Sequence, residues 1–264
     1  MNRKAAATVP TVDLDATRTR LERLNLVHAA EQLEGLISDA VKHDIAAHQL
    51  IDRLLDAELD RREERRLQTS LRLSGLPTGQ TLGNFDFAFQ PSVERSRIDT
   101  LATCQWIREN RTLLIQGPPG VGKTHLAVAL AIKAIEHGFG VVFYRLDELL
   151  SMLRRDADLS PSLLRRKKYI NTGLLVLDEV GFEPMSRQDA SLFFRVVSHR
   201  YQKGAILITT NKGIEAWPEI LAGDEVLATA ILDRLLHHSH VLNIKGRSYR
   251  LRDLESALAA ANSR

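Results

Sequence analysis

The amino-acid sequence predicts an α/β protein in which helices flank a parallel sheet, preceded by a small all-helical domain. Between Thr17 and Arg72 apolar residues recur at steps of three and four with no proline, which is typical of amphipathic helices. From Thr112 onwards, short apolar runs alternate with helical stretches, which is typical of parallel strands joined by helices. These patterns divide the chain into a helical domain over 1–73, a linker over 74–90 and an α/β domain over 91–264.

Composition limits the class of protein. The chain has 264 residues, 44% of them hydrophobic and 26% charged, which is ordinary for a globular protein. No apolar run approaches the roughly 18 residues of a membrane span, and the apolar stretch near the start is too short for a signal peptide. We therefore expect a cytoplasmic protein with no membrane partner. The one cysteine, Cys104, stands in an apolar setting and is predicted to be buried, in a reducing compartment.

Charge is distributed unevenly along the chain. Residues 1–60 carry 7 basic and 11 acidic side chains, whereas residues 61–264 carry 29 and 22. The basic excess of the second part is compatible with an anionic partner there. The charged run Arg61–Arg66 has two interpretations, a solvated helix face with ion pairs or a stripe that contacts phosphates.

The N-terminal helices and the linker both need a packing partner. Two or three amphipathic helices cannot bury their apolar stripes alone, so we expect them to pack on one another or on another chain. The stretch SGLPTGQTLGNFDF over 74–87 is punctuated by glycine and proline, which is typical of a linker. Phe85, Phe87 and Phe89 alternate along it, and we expect their rings to pack against the core of the next domain.

A phosphate-binding loop follows the first predicted strand. Thr112–Gln116 is apolar enough for a buried strand, and Lys123–His137 is predicted to be a helix. In this context glycines let backbone N–H groups converge on a β-phosphate, Lys123 supplies positive charge to the β- and γ-phosphates, and Thr124 supplies a hydroxyl to Mg²⁺. The predicted nucleotide-binding residues are Gly117, Pro118, Pro119, Gly120, Val121, Gly122, Lys123, Thr124 and His125.

Later strands end in polar side chains. A strand at 140–144 and a helix around 147–154 precede GLLVLDEVGF, which carries Asp178 and Glu179 to the carboxyl edge of the sheet, where ligands bind. Asp178 is expected to hold the Mg²⁺ shell, and Glu179 to orient and deprotonate the attacking water. The strand AILITTN ends in Asn211, whose amide can contact the γ-phosphate or that water. This order of strands is typical of an ATPase, with ATP and Mg²⁺ as cofactors.

Two arginines near the C-terminus have alternative roles. The segment ATAILDRLLHHSHVLNIKGRSYRLRD predicts a helix over 227–238 and a short strand over 241–245. Arg234 either pairs with the acidic residue before it or reaches the nucleotide of a neighbouring subunit, where positive charge stabilises a transferring phosphoryl group. Arg250 is either a surface residue or part of the site.

Together, GPPGVGKTHLAVALA, LLVLDEVGF, ITTN, AILDRLLHHSHVLNIKGRSYR and GLPTGQTLGNFDF resemble the IstB family, the helper ATPases of bacterial insertion sequences. This family belongs to the AAA+ superfamily, beside the DnaC and DnaI helicase loaders, and the likeness spans most of residues 20–252. By this resemblance Arg234 matches the arginine finger that acts in trans, Arg250 the second sensor and Asn211 the first. Arg200, in SHRYQKG, competes with Arg234 for the finger role.

The resemblance also implies a function. The family forms homo-oligomers with ATP on double-stranded DNA, without sequence preference, and bends the DNA. It then recruits a partner transposase (IstA-like), and ATP hydrolysis is stimulated in the process. The N-terminal helices would serve self-assembly. Contacts to DNA phosphates are expected from two basic clusters around a turn at Ser160–Pro161, whose other interpretation is solubilising charge. These candidates are Arg154, Arg155, Arg165, Arg166, Lys167 and Lys168.

Two other function classes are compatible with the nucleotide site. A replicative helicase loader shares it almost residue for residue, but binds single strands and grips the helicase with an N-terminal segment. A metabolic phosphate-loop kinase would need neither the helical domain nor the C-terminal arginine. The ending LDRLLHHSHVLNIKGRSYR favours the insertion-sequence helper over both.

Overall fold

The structure, a computed structural model, describes residues 13–252 and divides the chain into two units, Met1–Thr69 and Ser70–Arg264. The ends of both predicted domains, 1–12 and 253–264, lie outside the described residues. The change of unit falls inside a helix that continues to Ser74. No helix within 13–252 is long and apolar enough to cross a membrane.

The N-terminal unit is helical because its apolar residues recur with helical spacing. Its helices are α1 (Leu14–Arg23), α2 (Val27–Lys42) and α3 (Ala47–Ser74). The residue before α2 is Leu26, whose side chain cannot cap a helix. Glu58 of α3 supplies the cap instead: it is buried and accepts the N–H groups of His28 and Ala29 at 2.8 and 3.0 Å. The two hydrogen bonds, of which the one from Ala29 has the larger effect, hold the pKa of Glu58 below its usual value.

The charged run at the end of the first unit forms ion pairs along its own helix. These pairs are Arg61–Glu64, Arg62–Glu58 and Arg66–Glu63. Three of the four arginines of the run therefore have carboxylate partners within one turn, as the first of the two interpretations predicts.

The second unit contains a five-stranded sheet in the order β2-β3-β4-β1-β5, and all the pairs are parallel. Helices cover both faces, so the apolar runs of the central strands are buried throughout. This architecture confirms the predicted fold class. The strands are β1 (Thr112–Gln116), β2 (Val141–Arg145), β3 (Leu174–Val180), β4 (Ala205–Thr210) and β5 (Ser239–Asn243).

Helices before and between the strands complete the second unit. They are α4 (Arg95–Ala102), α5 (Gln105–Arg108), α6 (Lys123–Glu136), α7 (Leu146–Arg155), α8 (Pro161–Leu164), α9 (Lys168–Asn171), α10 (Arg187–Arg200), α11 (Trp217–Ile220) and α12 (Glu225–Leu236). Short 3₁₀ helices lie at Leu82–Asn84, Ile214–Ala216 and Tyr249–Leu251. Cys104 is buried between α4 and α5, as predicted, and burial raises the pKa of its thiol to about 11.

The neighbouring strands β3 and β4 lose register at their carboxyl ends. Leu177 lies opposite Ile208 and Val180 opposite Thr210, so β3 takes three steps where β4 takes two. This is a β-bulge, and Glu179 within it has φ of 61°, in the left-handed region. Bulges of this kind redirect side chains at the end of a strand.

Arg200 is a core residue. The residue is only 1% exposed. Its guanidinium donates hydrogen bonds to five backbone carbonyls, which lie in α9, just before β3 and at the start of β4. Burial lowers its pKa to about 10. The suggestion that Arg200 competes for the finger role is therefore wrong, because a side chain sealed inside its own subunit cannot reach a neighbour. The acceptors belong to Tyr169, Ile170, Thr172, Gly173 and Ala205.

Candidate nucleotide-binding site

A cavity of about 340 Å³ opens at the carboxyl edge of the sheet. The phosphate loop and the start of α6 form its floor, the ends of β3 and β4 form one wall, and residues from 80–90 and 249–250 form the other. Open parallel sheets bind ligands at this edge, because loops and helix N-termini converge there.

The phosphate loop depends on glycine at two positions. Gly120 and Gly122 have φ of 79° and 93°, which other residues rarely adopt. A Cβ on Gly120 would also lie 2.0 Å from the hydroxyl oxygen of Ser248. Lys123 begins α6, and its ammonium donates to the carbonyls of Gly117 and Pro118 at 2.8 Å each. Burial, and then the positive charge of Arg250, lower the pKa of Lys123.

The structure brings the two predicted magnesium ligands together. The hydroxyl of Thr124 donates to the Asp178 carboxylate, at 2.9 and 3.1 Å from its two oxygens. Asp178 is only 5% exposed, and its carboxylate accepts from the hydroxyls of Thr124 and Thr209 rather than from open water. Mg²⁺ prefers oxygen ligands and is usually held by one or two carboxylates together with substrate phosphates. The two side chains therefore fit this ion.

Glu179 lies on the cavity wall, and its carboxylate pairs with Arg145 at 2.8 Å. Arg145 ends β2, directly beside Asp178 in the sheet register. The negative charges of Glu179 and then Asp147 raise the pKa of Arg145. The backbone N–H of Glu179 donates to the hydroxyl of Thr209 at 3.0 Å. The predicted base thus lies at the cavity with both its backbone and its side chain engaged.

Two further predicted contacts line the same cavity. Asn211 follows β4 and is exposed at the wall formed by the strand ends. Arg250 lies opposite, in a turn that is anchored where the N–H of Tyr249 donates to the carbonyl of Gly120 at 2.8 Å. The sequence separates these residues by almost 40 positions, and the fold brings both to the nucleotide cavity.

The segment predicted to be a linker contributes to the cavity, a role that its glycine- and proline-rich sequence does not indicate. Phe85 is buried edge-on against the ring of His125, with centroids 5.3 Å apart. The Nε2 atom of His125 lies 2.8 Å from the carbonyl oxygen of Thr81 and 3.0 Å from Oδ1 of Asn84. The predicted packing of the phenylalanines was the available indication that this segment packs on the rest of the second unit.

Arg234 does not line the cavity of its own subunit. It lies on α12, donates to the carbonyl of Ala230 at 2.7 Å, and stacks over the ring of Phe194 at 4.8 Å from the centroid. Unlike Arg200, it is partly exposed. Its position is compatible with a contact outside its own subunit.

Two of the six predicted DNA-binding residues have internal partners. Arg154 makes a bidentate pair with the buried Asp189, with both bonds at 2.7 Å, and this pair lowers the pKa of Asp189. Lys167 pairs with Asp156 at 2.8 Å. The four remaining cations are exposed: Arg155, Arg165, Arg166 and Lys168.

A phosphate loop, an acidic strand end and a polar strand end on a parallel 2-3-4-1-5 sheet define a nucleotide-binding protein of the AAA+ class. The comparisons with known proteins agree. The chain belongs to the family described as IstB-like ATP binding protein, whose model matches residues 19–257.

Individual relatives cover most of the chain. An insertion sequence IS21 putative ATP-binding protein from Pseudomonas aeruginosa is 42% identical over 238 residues, 90% of this chain and 89% of the relative. The IS5376 putative ATP-binding protein from Geobacillus stearothermophilus is 40% identical over 88% of this chain and 92% of the relative. A crystal structure of DnaI matches with a TM-score of 0.50 at 19% identity, over 62% of this chain and 90% of that one, which indicates a shared fold.

Proposed function

We propose that this protein hydrolyses ATP with Mg²⁺ and uses the bound ATP to assemble on duplex DNA, as a helper of insertion-sequence transposition that recruits a partner transposase. The observation that carries the proposal is the convergence of Lys123, Thr124 and Glu179 on one cavity, with Asp178 hydrogen-bonded to Thr124, in a chain of the IstB-like family. The names of the relatives, which are ATP-binding proteins of insertion sequences, support the cellular role.

One subunit supplies most of the residues proposed for hydrolysis. Lys123 and the N–H groups of the loop bind the β- and γ-phosphates, and Thr124 and Asp178 would hold Mg²⁺, which supplies further positive charge to the phosphates when bound. Glu179 accepts the proton of the attacking water. For this the Glu179 carboxylate turns from Arg145 towards the cavity, where Asn211 orients the same water or the γ-phosphate.

A second subunit completes the site in this proposal. Arg234 supplies its guanidinium to the γ-phosphate bound by a neighbour, because it lies outside its own cavity and is partly exposed. Arg250 contacts the nucleotide from within the same subunit. Self-assembly is supported by the N-terminal unit, whose α3 exposes Ile51, Leu55 and Leu59 at four-residue spacing, on one face.

DNA binding is assigned to the exposed cations between α7 and α9. Arg155, Arg165, Arg166 and Lys168 are free of the ion pairs that engage Arg154 and Lys167. Contacts of arginine and lysine with phosphates carry no sequence information, so binding without sequence preference follows. Each phosphate neutralised contributes about −0.9 to the slope of log affinity against log salt on duplex DNA.

The test is binding to matched duplex and single-stranded DNA over a salt series, with ATP and with ADP. We expect ATP to promote duplex binding. The triple variant Arg165→Ala, Arg166→Ala, Lys168→Ala should flatten the slope by up to about 2.7 while leaving nucleotide affinity unchanged. Lys133→Ala, a half-exposed cation on α6, is the matched control and should keep the slope.

Other outcomes would replace the proposal. A preference for single strands, together with a stable complex with a replicative helicase, would indicate a helicase loader, a class whose DnaI member shares this fold. Duplex binding that is independent of ATP would contradict the link between the nucleotide site and DNA.

A further inference from the structure

Thr209 lies behind the two acidic residues of the site. It belongs to β4, is 1% exposed, and its hydroxyl donates to Oδ1 of Asp178. The same hydroxyl accepts the backbone N–H of Glu179 at 3.0 Å. A threonine hydroxyl has a single proton, which it donates to the Asp178 carboxylate, and a lone pair of its oxygen accepts the N–H of Glu179. One side chain therefore holds both acidic residues.

The contact coincides with the bulge in β3. Between Leu177 and Val180 the strand contains one residue more than β4 opposite it, and the regular ladder is interrupted. The N–H of Glu179 consequently bonds to a side chain, and its φ of 61° costs about 1–2 kcal/mol for a residue with a Cβ. A conformation of this cost persists only where the surroundings enforce it.

We propose that Thr209 is a positioning residue for the reaction: its hydroxyl stabilises the bulge that aims Glu179 at the attacking water and fixes the Asp178 carboxylate beside Thr124. The inference rests on the proposed ATP hydrolysis and deepens it. Thr209 lines the nucleotide cavity and acts through Asp178 and Glu179, which its hydroxyl contacts directly.

Removal of the hydroxyl has a defined consequence. In Thr209→Val the N–H of Glu179 is left without its partner in a part-buried position, and Asp178 loses one of its two hydroxyl donors. The bulge then relaxes and displaces the Glu179 carboxylate. A displacement of about 1 Å at a reacting group costs on the order of 100-fold in rate. The loop that binds the phosphates lies on another strand and is unchanged.

The experiment compares the full-length wild type with Thr209→Val and Thr209→Ser. We expect Thr209→Val to lower kcat roughly 10- to 100-fold with KM for ATP within about threefold, because orientation is lost and binding is kept. Thr209→Ser keeps the hydroxyl and should restore kcat to within about threefold. Thr112→Val, at a buried threonine that begins β1, reports what the same substitution does to melting temperature elsewhere in the sheet.

A second measurement does not require turnover. Binding of fluorescent N-methylanthraniloyl-ADP is titrated with Mg²⁺, and the half-maximal concentration should rise several-fold in Thr209→Val but not in Thr209→Ser. If the wild type does not hydrolyse ATP, the proposed function fails and this titration alone decides the role of Thr209. Wild-type kcat in folded Thr209→Val, or an unchanged Mg²⁺ titration, would overturn the inference even if melting temperature falls.

Discussion

Replacement of Arg200 by lysine should destabilise the protein without acting on catalysis across subunits. The guanidinium donates to five carbonyls at 2.7 to 3.4 Å, whereas an ammonium has three protons and can satisfy three of them at most. At about 1.5–3 kcal/mol for a hydrogen bond to a charged group, the loss of two bonds costs about 3 kcal/mol or more. In a domain of this size that corresponds to a fall in melting temperature of roughly 6–12 °C.

The assay is thermal unfolding followed by circular dichroism, with ATP turnover measured at a temperature where both proteins are folded. Arg234→Lys is the matched control, because Arg234 is partly exposed and its stacking on Phe194 is worth less than about 1 kcal/mol. We expect Arg200→Lys to have a lower melting temperature than wild type and to hydrolyse ATP at the wild-type rate while folded. An unchanged melting temperature with loss of turnover and intact ATP binding would refute the structural role of Arg200.

Two further predictions concern assembly and the N-terminal unit. Arg234→Ala should bind ATP without hydrolysing it. Mixing Arg234→Ala with Lys123→Ala should restore part of the activity, since each protein supplies the half-site that the other lacks. If mixed oligomers show no recovery, the arginine finger is another residue. Glu58→Gln should lower stability at pH 7 by about 1–2 kcal/mol, because the buried carboxylate caps α2. Since the folded pKa of Glu58 lies below its ordinary value of 4.5, its contribution is complete above that pH and is lost as pH falls further. The stability difference between wild type and Glu58→Gln, measured by thermal unfolding from pH 7 downwards, should therefore shrink in acid, and a constant difference would contradict the cap.

The strands and the phosphate loop were predictable because their pattern is local. The bounds of β1 agree with the prediction, and the helix after the loop ends one residue earlier than predicted. Continuous apolar runs of four to six residues can only be buried in such a sheet, and the polar residues that follow them then share one edge.

What the sequence did not predict depends on contacts between distant residues. Arg200 looks like a solvent-facing residue at the end of an amphipathic helix, and its carbonyl acceptors are as many as 31 positions away. The partner of Arg154 lies 35 positions further along the chain. The bulge at Glu179 arises from pairing with β4, so the local sequence LLVLDEVGF does not predict it.

We propose Glu179 as the base of the ATP-hydrolysing site, in which other residues bind the nucleotide. The direct measurement is steady-state phosphate release by wild type and Glu179→Gln, with ATP affinity measured on the same preparations. We predict that Glu179→Gln binds ATP as tightly as wild type and loses about 100-fold or more in turnover, because only the proton acceptor is removed. Equal turnover by the two proteins would exclude Glu179 as the base.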